Sequence, residues 1–406
     1  MIETGKQVSK GGFDKFRIMV LALGHMITDC YANMIPPLLP LLKTAYDLSY
    51  AASGMMMTVF TVTSSIVQPL FGYYADMYGK RWLVAISVIW TAFFMCMIGL
   101  VQYIGLDSSG AYTVILALIG LAGFGSASYH PQASTMVPRI SGDHKGFGVS
   151  LFSAGGNLGY AIMPLLVWPV TTLWGLEGVV LLFIPGLIMT LLLFKYAPEP
   201  PSLGKQVKVS HLIQDIVSVA RPLSLIIGVV CMRAWLFFGL ITFLPLYFAY
   251  LQEPQLLANA HLFILLFFGA MGSLIGGHVS DLYGRKFVIV ASLLLTGPLL
   301  FLALTTHGIL SWILTAITGM VLLASFSPAV LMAQGLIPRN QGMASGIILG
   351  FAIGIGGFGV AVNGFVSDQF GIVTGIYSLV LIPIIGLGLA LLLPGSMRPK
   401  RVEAHQ

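Results

Sequence analysis

Gly72-Tyr-Tyr-Ala-Asp76-Met-Tyr-Gly79-Lys80-Arg81 is a short polar stretch between two long apolar runs. The pattern occurs a second time as Gly277-His-Val-Ser-Asp281-Leu-Tyr-Gly284-Arg285-Lys286. The two aspartates, Asp76 and Asp281, are 205 positions apart. A repeat over about half of the chain indicates two duplicated halves. We expect each first glycine to end a helix close to a neighbour, and each aspartate to meet the next helix and its basic pair. The alternative is a solvated turn that only sets the topology.

Composition places this chain in a membrane. Of 406 residues, 57% are hydrophobic and 8% are charged, with a mean hydropathy of +0.93. Soluble proteins carry about 25% charged residues, so a polytopic membrane protein is indicated. The net charge of +6 does not imply a nucleic-acid partner, because the basic residues lie in loops. Three cysteines lie within apolar runs, so we expect no disulfide and no structural zinc site.

The apolar runs predict an all-α integral membrane fold of twelve transmembrane helices in two pseudo-symmetric six-helix bundles. The predicted spans are 16–42, 51–76, 82–104, 111–138, 146–174, 177–197, 221–251, 257–281, 287–306, 309–338, 342–370 and 373–394. The corresponding domains are an N-terminal tail, a first bundle, a connector with a short amphipathic helix, a second bundle and a C-terminal tail, at 1–15, 16–197, 198–220, 221–394 and 395–406.

Orientation follows from the lysines and arginines. They concentrate before the first span, in the even-numbered joints and after the last span, with Lys43 as the exception among loop residues. The positive-inside rule therefore predicts that both termini and the two signature loops, 72–81 and 277–286, face the cytosol. The polar opening segment lacks the short apolar core of a removable signal peptide.

Polar residues inside the first half suggest a functional site, because burying such groups in a bilayer is costly. His25, Asp29 and Asn33 follow each other at four-residue steps and so share one face of helix 1. At 1.5 Å per residue Asp29 lies about 20 Å along this helix, near the midplane. His130 and Gln132 of helix 4 are expected at the depth of His25. We predict proton coupling at Asp29, His25 and His130, with a static pair bracing helix 1 as the alternative.

Arg233 is the matching buried charge of the second half. Adding the 205-residue offset to Asp29 gives 234, so Arg233 lies almost at its repeat-equivalent position. We therefore expect Asp29 and Arg233 to face one wet central cavity at similar depth, because paired or solvated charges are tolerated there. Arg233 is the predicted anion-binding residue, with a purely structural partner of Asp29 as the alternative. The other predicted substrate-binding residues are Asn33, Tyr129, Gln132, Asn157, Trp235 and Gln334. Helix packing is the alternative for Trp235, and interhelical hydrogen bonding for the amides.

With these residues identified, the chain resembles the fosmidomycin-resistance branch of the major facilitator superfamily over residues 18 to 394. The matching stretches are His25-Met-Ile-Thr-Asp29, Gly123-Phe-Gly-Ser-Ala-Ser-Tyr129-His130-Pro131, Gly155-Gly156-Asn157, Gly276-Gly277 with Asp281, Gly284-Arg285-Lys286, Ala333-Gln334 and the glycines from Gly346 to Gly359. The resemblance implies a bacterial inner-membrane exporter that exchanges a small drug-like or metabolite anion for protons. The chain departs from the family at Gln132 and Gly335, where glutamates are expected.

These features lead to a proton-coupled antiporter of a small organic anion that works by alternating access, with protons as the coupling ion and no cofactor. The signature loops would brace the outward-facing state. Membrane lipid and a small-molecule substrate are the expected partners, and a monomer is the expected state. The alternatives are a proton-coupled uptake symporter, a divalent-metal exporter that uses the histidine–aspartate cluster, and a sensor that does not transport. An enzyme is not expected, because neither Gly-x-Ser-x-Gly with partners nor His-Glu-x-x-His occurs.

Overall fold

A computed structural model of the protein describes residues 12–78, 80–199, 217–337, 344 and 346–395, without the side chains of residues 73, 75–78 and 146. The described residues form helices joined by short turns, and they contain no strand. Several predicted features lie outside them: most of the N-terminal tail, the amphipathic helix of the connector, Gly79, the Asp76 side chain and nearly all of the C-terminal tail.

The described part of the first half contains eight α-helices. They are α1 (Lys15–Ala32), α2 (Ile35–Ala45), α3 (Tyr50–Ser65), α4 (Gln68–Tyr78), α5 (Arg81–Met97), α6 (Ser108–Ile140), α7 (Lys145–Trp174) and α8 (Phe183–Tyr196). The described part of the second half contains eight more. They are α9 (Ala220–Tyr250), α10 (Gln255–Tyr283), α11 (Arg285–Thr305), α12 (Gly308–Ala324), α13 (Phe326–Leu336), α14 (Ile353–Phe370), α15 (Ile372–Ser378) and α16 (Ile382–Leu391). A π-helical turn, Ile347–Ala352, leads into α14.

Eleven helical segments among the described residues are long and apolar enough to cross a membrane, so the all-α membrane fold is confirmed. One of these segments, Phe147–Tyr196, has 50 residues, whereas one span needs about 20. Gly175 interrupts it at a φ of +64°, a conformation that glycine adopts readily. Beyond this turn a 3₁₀ segment, Gly175–Leu182, leads into α8, which packs against α5, whereas α7 packs against α1. The predicted count of twelve depends on this segment crossing twice, and it stays a prediction.

Three predicted spans are broken where prolines follow. The first breaks between Ala32 and Ile35, and Pro36 lies in the first turn of α2. The breaks before α4 and α13 precede Pro69 and Pro328 in the same way. Proline lacks the N–H that a helix interior needs, so it is tolerated in the first turn, where no such bond is made. Each break places the end of one helix and the start of the next within a single predicted span.

Close packing of α1 on α7 depends on two glycines. A Cβ added at Gly155 would lie 2.3 Å from the carbonyl oxygen of Ala22, and one at Gly159 would lie 2.1 Å from that of Met26. Such distances are shorter than van der Waals contact, so larger residues would force the helices apart. Gly155 and Gly159 therefore allow the backbones of α1 and α7 to approach closely, as small residues do between membrane helices.

Hydrogen bonds join the two halves at the end of the molecule that lies away from the signature loops. The Asp368 carboxylate at the end of α14 accepts the backbone N–H of Tyr50 at 2.7 Å and of Ala51 at 2.9 Å, and so caps α3. Two turns further along α3, the Thr58 hydroxyl donates to the Gly357 carbonyl at 3.0 Å. The faces of α3 and α14 thus form one continuous seam between the halves.

The second signature loop is built differently from its prediction. Helix α10 continues six residues past Gly277 and ends at Gly284, whose φ is +98°. Asp281 is exposed, and within the described part of the chain it forms no ion pair with the basic residues beside it. Instead, Arg285 donates to the Leu331 carbonyl at 2.8 Å. The expected contact between this aspartate and its basic pair is therefore wrong for this conformation.

The basic residues of the two loops attach the last helix of each half. Lys286 donates to the carbonyls of Leu391, the last residue of α16, and of Leu393, just after it, at 2.7 and 2.6 Å. Arg81, which lies 205 positions earlier, pairs with Glu199 just after α8 at 3.3 Å. A cation near a helix C-terminus is favourable because the unpaired carbonyls carry partial negative charge. The repeat thus preserves one contact in both halves: the start of α5 with the end of α8, and the start of α11 with the end of α16.

Candidate functional site

The candidate site begins with a regular ladder of contacts between α1 and α7. Nδ1 of His25 donates to the Phe152 carbonyl at 2.8 Å, and Nδ2 of Asn33 donates to the Tyr160 carbonyl at 2.7 Å. Both pairs are separated by 127 positions, so the two helices keep one register over two turns. The predicted polar face of helix 1 is therefore confirmed, and it faces α7.

Gly156 occupies the middle of this ladder, opposite Asp29. A Cβ at this position would lie 2.5 Å from Cε1 of His25 and 2.6 Å from Oδ2 of Asp29. No side chain fits at such distances without moving the imidazole or the carboxylate. Gly156 therefore makes the room in which these two groups meet.

Asp29 lies between two histidines from different helices. Its Oδ2 is 3.3 Å from Nε2 of His25, and its Oδ1 is 3.4 Å from Nε2 of His130 on α6. Oδ1 is buried and accepts no hydrogen bond from the described residues, so the contact with His130 is electrostatic rather than a formed hydrogen bond. The side chain of Asp29 is 10% exposed and that of His130 is 26% exposed. The cluster is thus largely buried, with its accessible side at His130.

The hydrogen bond of His25 determines where a proton is needed. A carbonyl oxygen only accepts, so Nδ1 of His25 must carry hydrogen. In the neutral ring Nε2 is then a lone-pair acceptor, and it faces the carboxylate oxygen of Asp29 at 3.3 Å. Two acceptors at this distance repel each other, whereas one added proton converts the contact into a charge-assisted hydrogen bond. The geometry thus creates a place for one exchangeable proton between His25 and Asp29.

The same three side chains also offer ligands for a metal ion. One ligand atom each from His25, Asp29 and His130 lie within 4.8 Å of one another. Imidazole nitrogens with a carboxylate oxygen suit a divalent transition metal. A proton and a metal would compete for this space, because both use the lone pair of His25 Nε2.

Arg233 lies in α9 at the depth predicted from the repeat. It is 13 residues from Ala220, and Asp29 is 14 residues from Lys15, which places both about 20 Å along their helices. Arg233 is 4% exposed, and its Nε has no hydrogen-bond partner among the described residues. Its guanidinium carbon lies 4.8 Å from the centre of the Phe326 ring on α13. A buried cation with an unsatisfied donor suits an anionic ligand.

The described residues form no ion pair between Asp29 and Arg233. The expectation that both side chains face one wet central cavity stays a prediction. Asp29 instead uses the histidines of its own half. The halves meet one helical turn further on, where the Tyr160 and Phe237 ring centres are 6.4 Å apart. Tyr160 belongs to the α7 ladder, and Phe237 follows Arg233 by four residues on α9. These rings form a contact between the two halves, and each lies near one of the two charged positions along its own helix pair.

Three predicted substrate contacts are already used within the first half. Asn33 is fully buried and bonds the Tyr160 carbonyl. The Tyr129 hydroxyl donates to the Leu21 carbonyl at 2.9 Å, and the Nε2 of Gln132 donates to Ser128 at 3.0 Å. Each of these residues is at most 1% exposed, so none of them is open to solvent in this conformation. Oδ1 of Asn33 and Oε1 of Gln132 have no hydrogen-bond partner among the described residues.

The remaining predicted contacts divide into two kinds. Trp235 packs between helices: its Nε1 donates to Oδ1 of Asn363 at 2.5 Å, and a Cβ at Gly359 would overlap its ring. This position agrees with the packing alternative. Asn157 and Gln334 are partly exposed, and neither belongs to the histidine–aspartate cluster.

Sequence reasoning missed the residues that complete the site. Phe152 and Tyr160 contribute backbone carbonyls, which no side-chain pattern reveals. Phe326 contributes a ring to Arg233 from a helix far away in sequence. A usable signal did exist for Gly156, because Phe152, Gly156 and Tyr160 repeat the four-residue spacing of the polar face on helix 1.

Comparison with known proteins provides the family context. The sequence model of the Major Facilitator Superfamily matches residues 21–271. The chain is 30% identical over 385 residues to the fosmidomycin resistance protein of Escherichia coli (strain K12), covering 93% of this chain and 92% of that one. It is 28% identical over 407 residues to an uncharacterized MFS-type transporter of Bacillus subtilis (strain 168), covering 97% and 96%.

One of the similar solved structures is that of a bacterial homologue of the human lysosomal transporter Spinster, in an inward-facing and unoccupied conformation. The two share a TM-score of 0.80 at 16% identity, over 96% of this chain and 98% of that one. Such a likeness establishes the fold.

Proposed function

Because this chain belongs to the Major Facilitator Superfamily, in its fosmidomycin-resistance branch, we propose that it is a proton-coupled antiporter that exports a small organic anion or hydrophilic drug. Its relatives and fold are those of multi-pass membrane transporters rather than enzymes. The single observation that carries the proposal is the approach of His25 Nε2 to Oδ2 of Asp29 at 3.3 Å, while Nδ1 of His25 is held by the Phe152 carbonyl.

The proton would bind between His25 and Asp29. Protonation turns two mutually repelling acceptors into a bonded pair, and deprotonation restores the repulsion. His130 lies on the more accessible side of Asp29 and is the group through which a proton would pass. In this scheme the fixed Nδ1 bond of His25 keeps the ring oriented in both states.

The substrate anion would bind Arg233. A guanidinium presents several donors to a carboxylate or phosphonate, and its unsatisfied Nε supplies the first of them. Phe326 orients the guanidinium group by a cation–π contact, so ligand binding does not have to lower the conformational entropy of this side chain. Partly exposed amides at Asn157 and Gln334 are the proposed neutral contacts.

Coupling between the two sites would pass through the α1–α7 ladder. Separation of His25 from Asp29 would strain α7 around Gly156. The next contact between α1 and α7 is the hydrogen bond from Asn33 to the Tyr160 carbonyl. Tyr160 contacts Phe237, one turn from Arg233 on the other half. Protonation would thereby bias how the halves rock on each other, which is how proton binding changes access to an anion site.

Export is proposed over uptake because the fosmidomycin resistance protein of Escherichia coli is a resistance determinant by name. The same geometry serves a symporter if proton and anion move in one direction. We further propose a bacterial inner-membrane location with both termini in the cytosol, action as a monomer, protons as the only coupling ion and no nucleic-acid partner. The positive-inside pattern supports the orientation.

A second candidate function is divalent-metal export, favoured by the convergence of His25, Asp29 and His130 within 4.8 Å. The buried Arg233 opposes it, because a central positive charge repels a cation in low dielectric. Efflux of radioactive zinc from zinc-loaded liposomes that contain the protein distinguishes the two functions. If the protein is an anion antiporter, zinc efflux should not exceed that of zinc-loaded liposomes without the protein.

The test uses purified protein in liposomes that enclose a pH-sensitive dye. Addition of fosmidomycin to liposomes without a proton gradient should produce a proton flux that requires both the protein and the anion. Matched uncharged and cationic compounds should produce none. Absence of any anion-dependent proton flux, with correctly folded protein in the liposomes, would contradict the proposed function.

A further inference from the structure

A cavity of about 350 Å³ lies in the second half, away from both charged sites. It is enclosed by the end of α9, the start of α10, the end of α11 and the start of α12. Its position is therefore opposite the 277–286 loop, where α10 ends and α11 begins. The volume falls within the range of small-molecule sites, and most lining residues are apolar or aromatic, as such sites require.

Nε2 of His261, which lines this cavity, is a buried polar atom without a hydrogen-bond partner among the described residues. The Nδ1 of His261 donates to the Leu257 carbonyl at 2.9 Å, so Nε2 carries a lone pair in the neutral ring. Nε2 is buried and has no hydrogen-bond partner within the described residues, although the residue is 5% exposed. The ring stacks on Trp312 at a centroid distance of 3.7 Å, which fixes its orientation.

An unpartnered buried acceptor costs free energy, and a ligand that donates a hydrogen bond would remove the cost. Charge adds a second requirement. Glu253 lines the cavity, whereas no lysine or arginine does among the described lining residues. The rings of Tyr247, Phe248 and Trp312 also line it, and aromatic faces attract cations.

We propose that this cavity is a second binding site, specific for a lipophilic amine: an ammonium group on an apolar body. The ammonium donates to Nε2 of His261 and pairs with Glu253, while its apolar part contacts Leu244, Leu265 and Leu300. The loop residues Glu253 and His307 mark the end at which the ligand enters. This site is distinct in chemistry from Arg233, which favours anions, and it does not rest on the proposed function.

The experiment measures binding of tritiated 4-phenylbutylamine to the full-length purified protein by scintillation proximity. We expect saturable binding at one site, competition by unlabelled amine, and at least tenfold weaker competition by 4-phenylbutanol and 4-phenylbutanoate. Glu253→Gln should weaken amine binding about tenfold, since one charge-assisted contact is lost. His261→Phe, which keeps the stack on Trp312 and removes the acceptor, should weaken it as well.

Glu177→Gln is the matched control, because Glu177 is a carboxylate beside a helix turn in the first half and does not line the cavity. It should leave amine binding unchanged. A cavity-filling variant, Ala303→Phe, should abolish binding of the amine while the protein stays folded by thermal denaturation. The proposal is overturned if the alcohol binds as tightly as the amine, or if Glu253→Gln and Glu177→Gln bind the amine equally.

Discussion

Gly156 shows how one residue without a side chain determines the chemistry of the site. His25 and Asp29 approach each other because nothing extends from α7 at this level. The neighbouring glycines, Gly155 and Gly159, face backbone carbonyls and serve helix packing instead. Adjacent glycines of one motif thus differ in role, and only the side-chain atoms opposite each of them reveal the difference.

At this scale we predict that Gly156→Ala uncouples transport. Its Cβ would lie about 2.5 Å from the His25 ring, so the imidazole must turn away from Asp29. Overpacking of this kind costs roughly 1–3 kcal/mol, which a helical bundle tolerates. Proton-driven transport in liposomes should fall at least tenfold. Gly388→Ala is the control, because a Cβ on that helical glycine meets nothing within 4 Å; equal loss in both variants would refute the role of Gly156.

Arg233→Gln tests the anion site. The glutamine keeps a polar group at this depth but removes the positive charge and the cation–π contact with Phe326. We expect binding of an anionic phosphonate to weaken by about two orders of magnitude, the size of a buried charge-assisted contact of roughly 3 kcal/mol. Binding is measured by equilibrium dialysis with radiolabelled ligand. Arg233→Lys should lose less, and wild-type affinity in Arg233→Gln would remove Arg233 from the site.

At the scale of elements, hydropathy predicted most of the helices well because a bilayer requires long apolar runs. It did not predict the breaks at Asn33, Ile66 and Ser325, because a break next to proline leaves the apolar run continuous. The depth of Arg233 was predictable from the repeat. Its partner was not, because the approach of Phe326 depends on the tilt of α13, which no local pattern specifies.

Loss of the Asp368 cap on α3 should change the conformation of the protein. Removing such a cap costs roughly 1 kcal/mol, and this one joins the two halves. Asp368→Ala should therefore shift the population ratio of the two access states about fivefold toward opening at this end. Distances between spin labels on the ends of α3 and α14 measure the shift.

The chain offers a matched control for this change. Asp107 caps α6 by accepting the Gly110 N–H at 2.9 Å, entirely within the first half. Asp107→Ala should lower thermal stability by a similar amount without changing the spin-label distances. A conformational shift of equal size in both variants would show that loss of a helix cap, rather than of the link between halves, is responsible.

For the whole molecule, the duplicated halves keep equivalent scaffolds but have divided their chemistry. Arg81 and Lys286 hold the last helix of each half in related ways. Asp29 and Arg233 occupy equivalent depths yet carry opposite charge and have different neighbours. The halves meet between them through Tyr160 and Phe237. In the proposed function the proton site on one half and the anion site on the other are therefore separate, and rocking of the halves would link them.

In the proposed function, proton binding at Asp29 drives anion movement. Asp29→Asn keeps the shape of the side chain and removes its charge, so it is compared with the wild type in liposomes loaded with phosphonate. We predict that the variant still exchanges external for internal anion, at a rate within a fewfold of wild type, but no longer accumulates or expels it in response to a pH gradient. Gradient-driven transport by Asp29→Asn at the wild-type rate would contradict the account.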